Sequence, residues 1–144
     1  MGKVEQTIEV AVPVTTAYNQ WTQFEEFPRF MEGVKNVVQK DDKTLEWTAE
    51  ITEQEPDERI TWHSTSGPQN AGAVWFDRLS ENSTRVHLEM NWQPEGVTEK
   101  LGDALGFDDR RIRGDLERFK EFVESRGTET GAWRGEISQG DRVR

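Results

Sequence analysis

Short runs of alternating apolar and polar residues, separated by turn residues, constrain the fold of this chain more than any other feature. In residues 4–12, Val4, Ile8 and Val10 share one side while charged and polar residues occupy the other, which is typical of a half-buried strand. Five similar runs follow, over residues 34–40, 45–54, 59–66, 71–79 and 84–93. Because the separating segments are short, the pattern predicts an antiparallel meander.

Helical patterns lie on both sides of the meander. After Pro13, apolar residues recur at helical spacing from Val14 to Trp21 and predict a short amphipathic helix, which a second short helical segment follows. A long helix is predicted from near Gly96 to about Ser125, with one apolar stripe formed by Val97, Leu101, Leu105, Ile112, Leu116, Phe119 and Val123. This order predicts an α+β domain over residues 1–126, followed by a flexible tail over residues 127–144 that carries Trp133.

Composition narrows the classes of function. The 28 acidic residues outnumber the 18 basic ones, which disfavours generic nucleic-acid binding. The apolar runs are too short to span a membrane, and the lack of cysteine removes disulfides and thiolate chemistry. We therefore expect a soluble, cytoplasmic protein. The acidic stretch from residue 41 to 59 is interpreted as a solvated strand face, with a surface for a basic partner as the alternative.

Motifs for metal, phosphate or nucleophilic chemistry are not evident in the sequence. By alternation, His63 and His87 fall opposite the apolar faces of their strands, and they lack metal-ligand spacing. No nucleophile elbow or phosphate-binding glycine loop occurs. We expect no metal and no cofactor.

Four segments carry a resemblance to a known family. They read VAVPVTTAYNQWTQFEEFPRFMEGVKNV, ITEQEPDERITW, GPQNAGAVWF and RIRGDLERFKEFVESRG. These segments resemble the START-like (SRPBCC) superfamily, in the polyketide cyclase/dehydrase branch that includes coenzyme Q-binding proteins. The resemblance implies a helix-grip fold, in which a twisted antiparallel sheet curls around the long C-terminal helix and leaves an apolar cavity between them.

One segment departs from this branch. Its members carry an extra hairpin between LEW and TAEITEQ, whereas here Trp47 is followed directly by Thr48. We therefore expect one strand or hairpin fewer than usual, with the largest difference from relatives in residues 34–54. Removing a strand reverses the direction of the chain that follows. The sheet is expected to lose an edge strand, to pair irregularly, or to exchange strands with a second chain in a homodimer.

The candidate ligand site consists of apolar residues expected to face the cavity. Four of the meander strands carry aromatic residues. On one of them the alternation does not show which face points inward, so Trp75 and Phe76 are alternatives. The full set is Trp47, Trp62, Trp75, Phe76, Met90, Trp92, Leu101, Leu105 and Ile112. Indole rings offer flat apolar walls to a ligand. The same residues also fit a plain core that compensates for scarce aliphatic side chains.

The polar residues expected near the cavity are Ser64, Asn36, Asn70 and Arg78. No acid or histidine is clearly in phase with the inward positions, Asp77 being the nearest candidate, so binding or transport of a hydrophobic small molecule is the leading hypothesis. The ligand would be aromatic, polyketide-like or isoprenoid-like. A polyketide aromatase/cyclase or dehydrase is the first alternative, with Arg78 and Ser64 as candidate catalytic residues. The second alternative is an interaction or assembly subunit.

Overall fold

A computed structural model describes residues 2–31, 36–46, 49–65, 70–92 and 109–143. Its strands are β1 (Gly2–Val10), β2 (Thr44–Leu45), β3 (Ala49–Glu55), β4 (Arg59–Ser64), β5 (Asn70–Ser80), β6 (Ser83–Trp92), β7 (Ile137–Ser138) and β8 (Asp141–Arg142). Its helices are α1 (Val14–Trp21), a 3-10 helix (Phe24–Arg29) and α2 (Asp109–Arg126). The antiparallel sheet has the order β1-β6-β5-β4-β3-β7-β8, and β2 also pairs with β3. The predicted α+β helix-grip architecture is confirmed.

Both α-helices pack on the concave face of the sheet. The predicted stripe of α2 is buried from Ile112 to Val123, and the rings of Trp21 and Phe119 join α1 to α2 with centroids 4.9 Å apart. The predicted start of the long helix near Gly96 lies outside the described residues. None of the helices in the described part of the chain is long and apolar enough to cross a membrane.

The core is built mainly from aromatic rings. Trp21 is 1% exposed and makes edge contacts with rings of the 3-10 helix, of β5 and of α2. The cluster around it comprises Tyr18, Phe24, Phe27, Phe30, Phe76, Phe119 and Phe122. Since each aromatic ring buries a large area, this cluster makes up for the scarcity of aliphatic residues.

The prediction of one continuous strand over residues 45–54 is wrong. Instead, β2 and β3 are antiparallel partners, with Leu45 opposite Ala49. Residues directly opposite each other in a sheet have side chains on the same face. Leu45, Ala49 and Ile51 therefore all face inward although the chain reverses direction between β2 and β3, and the sequence reads like one continuous strand. Of the strand predicted over residues 34–40, the described part forms only a bridge between Gln39 and Leu45. The shortened segment thus pairs irregularly within the chain.

The C-terminal segment lies against the domain, contrary to the expectation of a free tail. Strand β7 joins the sheet beside β3, where Gln54 pairs with Ile137, and Ile137 is buried. Gln139 and Gly140 both have positive φ values, 53° and 80°, as a two-residue hairpin turn between β7 and β8 requires. Trp133 packs against the core rather than lying outside it. This short hairpin was missed because its strands have only two residues each.

Candidate functional site

A row of buried residues crosses the concave face of the sheet. In register from β3 to β1 it consists of Ile51, Trp62, Gly72, Met90 and Val4. A Cβ atom on Gly72 would lie 2.4 Å from Cζ2 of Trp62 and 2.7 Å from Sδ of Met90. The indole therefore lies directly over the glycine, with the thioether beside it. We call Trp62, Gly72 and Met90 the platform.

Polar residues occupy the next row of the sheet, at the rim of the platform. Ser64 stands opposite Ala49, and Asn70 stands opposite Trp92. The Asn70 backbone N–H donates to Ser64 Oγ at 3.1 Å, and both side chains are half-buried. The rim therefore offers an amide and a hydroxyl next to an apolar wall.

A small cavity adjoins the platform. It is lined by Trp21, Phe24, Phe27, Leu45, Ile51 and Trp62, and its volume is about 10 Å³. This volume is close to what one water molecule occupies. The described interior next to Trp62 is therefore almost filled by side chains.

Tyr18 and Gln54 form a polar pair in the interior. A β-bulge between Ile51 and Glu53 interrupts the alternation of β3, so Ile51 and Gln54 both face inward. Burial raises the pKa of Tyr18 to about 12, and the nearby Gln54 amide moderates the rise. Among the described residues neither side chain forms a hydrogen bond of good geometry, although the two lie close enough for a Gln54–Tyr18 hydrogen bond to lower the pKa of Tyr18. The sequence interpretation missed this pair because simple alternation would turn Gln54 outward.

The predicted ligand residues are only partly brought together. Trp62, Phe76, Met90 and Ile112 are buried in the interior. Trp75 lies on the opposite face of β5, because Gly72, Val74 and Phe76 take the inward positions. Its ring is 5.4 Å from that of His87. Because Trp75 and Phe76 are both aromatic, only the observed strand pairing shows which of the two faces inward.

The side chains of the remaining predicted ligand residues are not described. Trp47, Leu101 and Leu105 lie outside the described residues, and Trp92 is described only by its backbone position in β6.

The two candidate catalytic residues do not share a site. Arg78 is exposed near the end of β5, opposite Thr84. Ser64 lies beside Asn70 at the other end of that strand, and eight residues of strand correspond to about 27 Å. Asp77 and Asn36 are also exposed.

The outer face of the sheet carries a cluster of possible metal ligands. The ligand atoms of Glu5, His87 and Glu89 all lie within 4.8 Å of one another. Lys3 Nζ already pairs with Glu5 at 2.7 Å and with Glu89 at 3.5 Å, and Thr7 Oγ1 is 2.7 Å from His87 Nδ1. Because the Lys3 ammonium already forms ion pairs with both carboxylates, we assign no metal to the cluster.

Comparisons with known proteins agree with this architecture. An uncharacterized 17.2 kDa protein in the melC2-rnhH intergenic region of Streptomyces lincolnensis is 53% identical, over 95% of this chain and 99% of that protein. A START superfamily protein from Mycobacterium smegmatis superimposes with a TM-score of 0.69 at 14% identity, over 85% of this chain and 97% of the other. The Zhui aromatase/cyclase from a Streptomyces species gives a TM-score of 0.66 at 12% identity, over 92% of this chain and 99% of the other.

The two solved structures, at these identities, show a shared fold. Family membership comes from the sequence itself, because the family model described as polyketide cyclase / dehydrase and lipid transport matches residues 10–121. The chain belongs to this family.

Proposed function

We propose that this protein binds or carries a hydrophobic small molecule, aromatic, polyketide-like or isoprenoid-like, between the sheet and α2. The observation that carries the proposal is the platform, where the Trp62 indole lies over Gly72 beside the Met90 thioether. A flat apolar wall suits planar or extended apolar ligands. Ser64 and Asn70 at the rim supply polar groups of the kind that orient a ligand in such a pocket.

Among the described residues, the side chains next to Trp62 leave little room, so we propose that a ligand entering at the platform displaces them. The adjoining cavity holds about 10 Å³, whereas pockets for small molecules have volumes of about 300–1,000 Å³. Methionine is flexible and adapts to irregular spaces, so Met90 is the platform residue best able to turn aside. In our proposal the platform opens on binding and closes when the ligand leaves.

Tryptophan fluorescence tests the proposal, because the chain carries tryptophans on both faces of the sheet. The unaltered protein is titrated with menadione, quercetin and oleic acid, and binding is measured independently by calorimetry. We expect saturable quenching by at least one probe. The response should be smaller in Trp62→Phe, where Trp21 still lines the adjoining cavity, and retained in Trp75→Phe, because Trp75 lies on the outer face. Failure of all three probes to give a heat of binding would contradict the proposal.

Four further interpretations stay predictions. They are catalysis as a polyketide aromatase/cyclase, coenzyme Q as the ligand, a role in assembly, and a cytoplasmic location. The catalytic alternative is tested by incubation with a poly-β-ketone substrate. A product distribution altered by the unaltered protein but not by Ser64→Ala would favour it. An identical distribution with and without the protein would remove it.

A further inference from the structure

The free edge of β1 is covered by α2 along its C-terminal half. In the described part of the chain, β1 pairs with β6 on one side and with no strand on the other. Arg113 Nη1 and Lys120 Nζ donate to the carbonyl oxygens of Thr7 and Glu9 from this open side. These two carbonyls therefore point away from β6.

The backbone direction in the N-terminal half of β1 follows by alternation. In an antiparallel pair, successive residues direct their N–H and C=O groups alternately toward and away from the neighbouring strand. Lys3 and Glu5 therefore share the outward direction of Thr7, whereas Val4 and Gln6 bond to β6. Among the described contacts, none reaches the outward backbone groups of Lys3 or Glu5. This half of the edge thus has donors and acceptors to offer a further strand.

The side chains of this half are complementary in charge to a second copy of themselves. Lys3 and Glu5 lie on the outer face of the sheet, with side chains 53% and 43% exposed. Val4 lies between them, faces the other side and pairs with Met90. If two copies pair antiparallel about a two-fold axis at Val4, Lys3 of each copy stands directly opposite Glu5 of the other. Opposite charges at such positions stabilise a strand pair.

Other registers of the same edge are unfavourable. Moving the axis by one residue toward the start of β1 would place Lys3 opposite Lys3, and moving it the other way would place Glu5 opposite Glu5. Like charges directly opposite each other destabilise a strand pair. The second shift would also bring a strand against Thr7, whose carbonyl Arg113 already occupies. Charge therefore selects one register, and α2 limits the length of the paired segment.

We propose that β1 forms a homodimer, in which residues 2–6 of two copies pair antiparallel about Val4 and join the two sheets into one. Each Lys3 exchanges backbone hydrogen bonds with the Glu5 opposite it, and their side chains form ion pairs across the junction. The interface does not involve the shortened segment 34–54, and the proposal is independent of the proposed function. Because the paired segment is short, we expect a weak dimer with a Kd between about 10 μM and 1 mM.

Charge reversal tests the register. Sedimentation equilibrium of the unaltered protein, at concentrations up to about 1 mM, measures the Kd. Lys3→Glu and Glu5→Lys each place like charges opposite each other and should raise the Kd at least about tenfold. Mixed in equal amounts, the two variants should associate again, because the glutamates of one face the lysines of the other.

Glu81→Lys is the matched control for Glu5→Lys. It makes the same change in net charge at an exposed position in the turn between β5 and β6. That turn adjoins the end of β6 that pairs with Val10, far along the strand from the residues that pair with Lys3 and Glu5. The control should leave the Kd of the dimer unchanged.

Hydrogen exchange identifies the paired edge without any substitution. Where the dimer predominates, the amide protons of Lys3 and Glu5 should exchange about threefold or more slowly than in dilute solution, because exchange then occurs from the remaining monomer. The amide protons of Val4 and Gln6 should change little, since they bond to β6 in both states.

Each result supports or overturns the β1 dimer. A monomer at every concentration up to about 1 mM would overturn it, as would a dimer whose Kd is the same in Lys3→Glu and Glu5→Lys. Failure of the mixed variants to associate would overturn the register. The exchange measurement needs no variant, so a dimer without the alternating protection along β1 would overturn the proposal even if a variant failed to fold.

Discussion

Gly72 and Trp62 face each other across β5 and β4, and the missing side chain at Gly72 creates the space that the Trp62 indole fills. The glycine is required here by close approach of a neighbouring ring. Its position therefore determines the shape of the concave surface where we propose that a ligand binds.

Gly72→Ala should destabilise the protein by about 1–3 kcal/mol, because the added Cβ would lie 2.4 Å from the Trp62 ring and force it to move. Chemical denaturation measures this change, and menadione binding should weaken with it. Gly114→Ala on α2 is the matched control. There the nearest atom to the new Cβ is Arg118 Nη1 at 3.4 Å, so the same exchange should stabilise the helix by up to about 1 kcal/mol. Unchanged stability of Gly72→Ala would contradict the packing described for Trp62.

Tyr18 should make stability fall at high pH. Its pKa is raised by burial to about 12 from an ordinary value of 10.0, so the folded protein keeps a proton that the unfolded chain loses. This contribution is fully present below about pH 10 and is lost as the pH rises to about 12, amounting to about 2–3 kcal/mol in total. Denaturation of the unaltered protein and Tyr18→Phe across this range should show the difference.

The spectrum provides a direct check, because Tyr18 is the only tyrosine in the chain. Tyrosinate absorbance should appear only as the folded protein approaches pH 12. A transition near pH 10 in protein that remains folded would show that the hydroxyl is accessible to solvent.

The Arg134–Asp57 ion pair should fasten the C-terminal segment to the turn between β3 and β4. Arg134 Nη1 lies 2.9 Å from Asp57 Oδ1, and Nη2 lies 2.7 Å from Oδ2. The same guanidinium donates to Asn19 Oδ1 and lies over the Tyr18 ring. Arg134→Lys removes the two-pronged geometry and should cost about 1 kcal/mol, because both side chains are partly exposed.

Hydrogen exchange distinguishes this contact from a general loss of stability. The amide protons of Thr130 and Trp133, which donate to Gln20 Oε1 and Thr22 Oγ1, should exchange faster in Arg134→Lys. Asp57→Asn is the second arm of a double-mutant cycle, and asparagine tolerates the positive φ of 62° at that position. Additive effects of the two substitutions would mean that the pair contributes no coupling.

Side chains of α2 cover the free edge of β1. Arg113 Nη1 donates to the Thr7 carbonyl at 2.6 Å, and Lys120 Nζ donates to the Glu9 carbonyl at 2.9 Å. One turn further along α2, Glu124 accepts from the Ala11 N–H at 2.6 Å. Burial opposes ionisation of Glu124, but Lys120 and this N–H outweigh it and hold the pKa of the carboxyl below its ordinary value. Two β1 carbonyls that could pair with another strand are thus occupied, and so is the N–H of Ala11 just beyond the strand.

The double substitution Arg113→Ala with Lys120→Ala should promote association through β1. Removing both cations leaves the Thr7 and Glu9 carbonyls open to a strand of a second molecule. Light scattering should report a mass-average molecular mass above that of the unaltered protein at the same concentration. Glu117→Ala is the control, because Glu117 pairs with Arg113 and has no bond to β1 among the described contacts. An unchanged mass in the double variant would show that this edge is protected in another way.

The predicted elements with strong periodicity were confirmed. The stripe of α2 from Ile112 to Val123 and the alternation in β4 and β6 each repeat over enough residues to identify the buried face. Trp62 and Met90 followed from this alternation. In β5 the sequence does not show whether Trp75 or Phe76 faces inward, because the two aromatic residues are adjacent. Only the pairing of β5 with β4 and β6 places Trp75 on the outer face.

The features that sequence reasoning missed depend on local irregularity or on distant partners. Gln54 faces inward only because of the bulge in β3. Leu45 and Ala49 lie on the same face of the sheet although the chain reverses direction between them. The contacts of the C-terminal segment depend on residues more than a hundred positions away, such as Gln20 and Thr22. Periodicity contains no information about such pairings.

The bulge in β3 makes the pairing of the strand, and not residue identity alone, the determinant of which side chain enters the interior. With one extra residue accommodated between Ile51 and Glu53, a neutral amide at Gln54 faces Tyr18. The same residues paired without the bulge would bring the carboxylate of Glu53 to the inward position, because successive residues of a strand alternate between faces. A family member that keeps these residues but pairs them regularly would thus present an anionic group where this protein presents a neutral one.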